Sequence, residues 1–144
     1  MNEQAWYGVT QEPVATKIAQ HSSAITPKRK TIILDAFCGV GGNTIAFALS
    51  GRWRRVYAIE KDAATLDCAR RNAQVYGVED KITWFLGDCF KLLGSGEGSL
   101  EALRELLRGH GVIFGSPPWG GKVQCSDGSR SFGLTTCIRP KVQI

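Results

Sequence analysis

Short apolar runs that end in an acid alternate along this chain with stretches of helical spacing. Thr31-Ile32-Ile33-Leu34-Asp35-Ala36 is apolar without alternation, which marks a strand buried on both faces. It breaks directly into glycine. Residues 55–60 and 81–88 repeat the pattern, and residues 111–115 supply a fourth run that enters a Ser-Pro-Pro-Trp turn. Between the strands, residues 43–50 carry Ile45, Phe47, Ala48 and Leu49 on a short helix that Gly51 stops. Ala63, Leu66, Ala69 and Ala73 recur at helical spacing over residues 63–76, with Asp62 placed to cap the start and Gly77 the end. A glycine and serine loop at 94–99 leads to Leu100, Leu103, Leu106 and Leu107, which stripe a further helix closed by Gly109.

Strands alternating with helices predict an α/β fold, a doubly wound parallel sheet with right-handed crossovers. The expected strand order is 3-2-1-4, with ligands at the carboxyl ends of the strands near the switch point. Residues 31–121 form the expected core, and residues 1–30 a partly helical arm, with its helix over 12–20. Residues 122–144 carry Gly, Ser, Arg, Lys and Thr without a period and read as an irregular basic tail.

Charge adds to this picture. Eighteen basic residues against 13 acidic ones give a net charge of +5, a balance that suits a polyanionic partner. The excess gathers at Lys28-Arg29-Lys30, at Arg52, Arg54 and Arg55, and after Gly121. Lys28-Arg29-Lys30 reads as a solvated linker in preference to a nuclear import patch. No run approaches the roughly 18 apolar residues of a membrane span, so no membrane role is expected. The five cysteines are odd in number and lack a CxxC pair, and His21 and His110 are isolated, so neither a disulfide framework nor a metal site is predicted. Cys38, Cys68 and Cys89 read as small hydrophobes.

The turns hold the candidate chemistry. Gly39, Gly41 and Gly42 sit between a strand and a helix start, where backbone approaches a ligand closely and N–H groups are free. Thr44 stands where a dinucleotide fingerprint wants Gly or Ala. Asp35 would repel a pyrophosphate but suits the ammonium end of S-adenosylmethionine. Glu60 is placed to accept ribose hydroxyls, and Asp88 the adenine amine. In the second motif two prolines fix φ and remove two donors, leaving carbonyls rigidly aimed. Those carbonyls and the Ser116 hydroxyl can accept from an exocyclic amine, and Trp119 offers a face that attracts a cationic ring.

Asp35-Ala-Phe-Cys-Gly-Val-Gly-Gly-Asn-Thr44, Asn72-Ala-Gln-Val-Tyr-Gly77 and Ser116-Pro-Pro-Trp-Gly-Gly121 closely resemble the trimethylguanosine synthases, the RNA cap hypermethylases. Trp6-Tyr-Gly-Val-Thr10 resembles the start of that family's catalytic region, so the resemblance covers about residues 5–121. It implies a class I, Rossmann-like methyltransferase that uses S-adenosylmethionine to methylate the N2 amine of 7-methylguanosine caps. The implied substrates are small nuclear and small nucleolar RNAs, with ribonucleoprotein adaptors as partners. The implied location is the nucleus (nucleolus or nuclear bodies), extending to the cytoplasm. Asp35, Phe37, Gly39, Gly41, Asn43, Thr44, Glu60, Asp88 and Thr10 would surround the cofactor. Ser116 and Pro117 would receive the guanine amine in the catalytic step, with Pro118 and Trp119 against the cationic base. The segment after Gly121 does not look like the family's remaining strands, so a sheet lacking its C-terminal strands is expected, with the fourth strand as an apolar edge. Two alternatives stay open: a methyltransferase for another RNA or DNA base amine, and a shortened cofactor- or RNA-binding fragment without activity.

Overall fold

The computed structural model describes residues 9–117. Its four strands form one parallel sheet in the order β3-β2-β1-β4, as the alternating pattern predicts. These are β1 (Ile32–Asp35), β2 (Arg55–Glu60), β3 (Ile82–Leu86) and β4 (Gly111–Phe114). The helices are α1 (Glu12–Ile25), α2 (Gly42–Leu49), α3 (Ala63–Val75), α4 (Cys89–Leu92) and α5 (Glu101–His110).

Residue alternation along β1 explains why the run is apolar throughout. Ile33 faces a core shared with Ile45 and Phe47 of α2 and Leu66 and Ala73 of α3. Ile32 and Leu34 face the opposite core, with Leu103 and Leu107 of α5. All four residues of β1 are buried as a result. The outcome is a sheet covered on both faces, with its strand ends free to carry chemistry.

Local signals account for most boundaries. The Asp62 carboxylate accepts from Thr65 N–H at 2.8 Å and opens α3, and Gly77 at φ +68° follows its end. Three boundaries differ from expectation. Helix α1 runs past Gln20 to Ile25, because Ala15, Ala19 and Ser22 lie on one face and are buried against the fold. One face of this helix therefore packs on the fold. Helix α5 continues through Gly109 to His110, since its buried leucines hold it beyond the glycine. Strand β3 starts at Ile82, because Glu79–Lys81 forms a 3₁₀ turn ahead of it, and stops at Leu86, because Asp88 caps the unforeseen α4.

Lys30 is also a correction. Read as part of a solvated run, it is buried, and its Nζ donates to the carbonyls of Arg108 at 3.1 Å and Gly109 at 3.4 Å. A cation at a helix C-terminus satisfies carbonyls that have no partner within the helix. Cys38 and Cys89 are buried and Cys68 is partly so, in keeping with their reading as small apolar residues. No helix among the described residues is long and apolar enough to cross a membrane. Among them β4 pairs only with β1. Residues 1–8 and 118–144, and with them the expected tail, lie outside the described residues.

Candidate functional site

The turns after the strands are drawn together by backbone bonds. Ala36 N–H donates to Phe114 O, Cys38 N–H to Ile59 O, and Gly87 N–H to Glu60 O, each at 2.9 Å. The glycine loop, Glu60, Asp88 and the exit of β4 thus share one end of the sheet. This is where a doubly wound fold binds ligands.

The loop is held from several sides. Gly39 and Gly41 adopt φ +54° and +92°, and a Cβ at Gly41 would meet Ala69 Cβ at 3.3 Å. Glycine here serves both a left-handed turn and the close approach of α3. Asn72 Nδ2 donates to Val40 O at 2.9 Å, a contact that gives this motif residue a role the sequence reading missed. Thr10 Oγ1 accepts from Asn43 Nδ2 at 3.0 Å, so the segment before α1 closes over the start of α2. Asn43 is buried, yet its Oδ1 has no partner among the described residues.

The three acids take different positions. Glu60 is partly exposed; its Oε2 accepts from Gly39 N–H at 3.1 Å, and its Oε1 from Lys61 and Asp62 N–H at 2.9 and 3.0 Å. Asp88 is exposed and caps α4, its Oδ1 accepting from Phe90 and Lys91 N–H at 2.9 and 3.2 Å. Asp35 is 0% exposed, with Oδ2 accepting from the Thr44 hydroxyl at 2.7 Å and Oδ1 from Phe37 N–H at 3.4 Å. Thr44 is equally buried. Both were expected to touch the cofactor; here their polar atoms are turned toward each other.

Burial raises the Asp35 carboxyl from 3.8 to about 6, against the lowering effect of the Thr44 and Phe37 hydrogen bonds; the Glu60 charge adds to the rise. A folded pKa above the unfolded one means that ionising Asp35 costs stability as pH rises from about 4 through 6. Asp35→Asn should therefore stabilise the ligand-free protein above pH 7 by about 2–3 kcal/mol, a gain that disappears below pH 4. Denaturant titrations at pH 4 and 8 check this, and an equal effect at both would refute it. The Cys38 thiol is pushed up by burial and by the Asp35 and Glu60 charges, so it stays protonated and is no nucleophile. No group of three or more metal-ligating side chains occurs among the described residues.

Phe37 meets Phe90 edge-on, with ring centroids 6.1 Å apart, so the unforeseen α4 contributes an aromatic wall. A Cβ on Gly115 would lie 4.0 Å from the Phe37 ring, which brings the β4 exit beside the loop. Ser116 and Pro117 follow there, partly buried. Pro118 and Trp119 lie outside the described residues. A separate cavity of about 850 Å³ opens between α1, α2 and Tyr76, and shares with the loop only Val40, Gly42 and Thr10. The convergence of polar groups is at the strand ends, and the candidate site is placed there.

A family profile described as RNA cap guanine-N2 methyltransferase matches residues 30–140. The matched stretch runs past Gly121, where the resemblance was expected to stop. The chain is 38% identical over 121 residues to a trimethylguanosine synthase of Saccharomyces cerevisiae, covering 84% of this chain and 35% of that protein. It is 34% identical over 122 residues to a trimethylguanosine synthase of Schizosaccharomyces pombe, covering 84% of this chain and 46% of that protein. The chain thus spans less than half the length of either relative. Among solved structures, a precorrin-8W decarboxylase from Methanobacterium thermoautotrophicum aligns with TM-score 0.53 and 29% identity, over 75% of this chain and 63% of that one. The fold is that of the class I methyltransferases.

Proposed function

The chain belongs to the RNA cap guanine-N2 methyltransferase family, and on that premise we propose that it methylates the N2 amine of 7-methylguanosine RNA caps. The observation that carries the reading is the meeting of two motifs. The glycine loop braced by Glu60 lies beside the exit of β4 that bears Ser116 and Pro117.

The residues present fit S-adenosylmethionine. Exposed or partly exposed carboxylates at Glu60 and Asp88 match ribose hydroxyl and adenine amine donors, and Phe37 with Phe90 supplies an apolar wall. The orphaned Oδ1 of Asn43 is an acceptor suited to a ligand N–H. Gly39 and Gly41 allow close backbone approach, Thr10 bonds Asn43 over the loop, and Asp35 with Thr44 fixes its floor. When bound, this cofactor supplies an electrophilic methyl on a sulfonium.

The Ser116 hydroxyl and the Pro117 carbonyl would accept the two N2 hydrogens and aim the nitrogen lone pair at that methyl. Once methylated, the nitrogen would lose one of those hydrogens as a proton to water. Alignment and proximity carry such a reaction without a strong base. By the family resemblance, Pro118 and Trp119 would contact the cationic 7-methylguanine, with Trp119 offering a face that attracts a cation. Small nuclear and small nucleolar RNAs, ribonucleoprotein adaptors and a nuclear location are the biological setting proposed for it.

Trp119→Ala should weaken binding of 7-methylguanosine diphosphate by about thirtyfold, from a desolvated cation–π contact of about 2 kcal/mol, and leave S-adenosylhomocysteine affinity unchanged. Calorimetric titration reads both. Equal loss of the two ligands would contradict the assignment.

A further inference from the structure

The opposite end of the sheet carries a second, unassigned feature. Thr31 N–H donates to His110 O at 2.9 Å and Arg54 N–H to Thr31 O at 2.7 Å, so the starts of β1, β2 and β4 lie together. Thr31, Arg54, Arg55, Tyr57 and His110 line a concavity of about 320 Å³ there. Lys28 and Arg29 are exposed just ahead of Thr31, and Lys81 is exposed before β3.

The cations here are of two kinds. Lys30 and Arg52 are committed to main-chain carbonyls, Arg52 to those of Thr26 and Pro27 while its guanidinium covers Trp53. Arg55 keeps one N–H on the carbonyl of Asp80. Arg54, Lys28 and Arg29 form no ion pair among the described residues, whereas the nearby Glu105 is already paired with Arg108. Among the described residues the remaining acids at this end are Glu79 and Asp80. Unpaired guanidinium and ammonium groups around hydroxyl donors match phosphate oxygens.

We infer that this basic face binds the phosphodiester backbone of RNA and holds the body of the substrate. The inference rests on the reading of the chain as a cap methyltransferase only for which RNA is held. The two ends of the sheet are separated by strands of four to six residues, or about 13–20 Å. A cap dinucleotide at the candidate site therefore ends short of Arg54, and a longer RNA wraps across the sheet edge to reach it. Binding to this face is sequence-independent and salt-dependent.

The test compares the full chain with a variant carrying Lys28→Glu, Arg29→Glu and Arg54→Glu, and with Arg54→Lys as the conservative control. Affinity for an uncapped single-stranded RNA of about 20 nucleotides is measured between 50 and 200 mM salt, beside methylation of a cap dinucleotide. The triple variant is expected to lose at least tenfold in RNA affinity. Its plot of log affinity against log salt should become shallower by about 0.7 per lost phosphate contact. Dinucleotide methylation and thermal melting should stay as in the parent, and Arg54→Lys should retain most RNA affinity. Unchanged RNA affinity and slope would overturn the inference, as would equal loss on the dinucleotide, or a glutamate-rich peptide outcompeting RNA for this face. If the parent chain fails to methylate the dinucleotide while RNA binding still depends on these residues, the activity reading fails and this surface stands.

Discussion

Phe47→Ala is expected to destabilise the fold by about 3–5 kcal/mol, the range for deleting a buried phenyl ring. Phe47 is 0% exposed on α2 and meets Phe114 edge-on at 5.1 Å between ring centroids. It therefore joins the helix that begins at the cofactor loop to the strand that delivers Ser116. A cavity at this point removes packing from both motifs at once. The whole margin of a domain this size is about 5–15 kcal/mol, so the variant loses a large share of it. Denaturant titration checks the value. A loss below 1 kcal/mol would mean that Phe47 is not the joint between the two motifs.

Glu60→Ala should weaken S-adenosylhomocysteine binding by about a hundredfold while costing much less in stability. Hydrogen bonds to a charged group contribute about 1.5–3 kcal/mol each, and the variant loses the loop contact and the proposed ribose contact together. The Gly39, Lys61 and Asp62 N–H groups all donate to this carboxylate. Those of Lys61 and Asp62 belong to exposed residues and can turn to water, so the global fold tolerates the change. Glu60→Gln keeps an acceptor and should lie between the two. Since the Glu60 charge helps raise the Asp35 carboxyl to about 6, Glu60→Gln should also lower that value, as read by NMR titration. Unchanged ligand affinity in Glu60→Ala would remove the residue from the site.

The fold was legible because buried parallel strands leave a distinctive trace. A run such as Ile32-Ile33-Leu34 has no polar side, and only a sheet covered on both faces uses one. The positions of the loop, Glu60 and Asp88 followed from where those runs end. What the sequence hid were contacts made between segments. Lys30 resembles any solvated lysine until α5 ends beside it, and Gly109 resembles a stop until the leucines around it are seen to be anchored. Asp35 is the instructive case. Its place at a strand end suggested a ligand contact, yet its partner is Thr44, nine residues on and a helical turn away, and the pair is sealed from solvent. The edge-on Phe90 was missed because α4 is only one turn long and leaves no periodic signal.

The site proposed at the strand ends joins a methyl donor to a cationic guanine. The most direct measurement is transfer of labelled methyl from S-adenosylmethionine to a 7-methylguanosine cap dinucleotide, beside the same dinucleotide without the 7-methyl group. An N2-methylated product is expected from the first and little from the second. Equal transfer to both, or transfer only to bases of uncapped RNA, would contradict it.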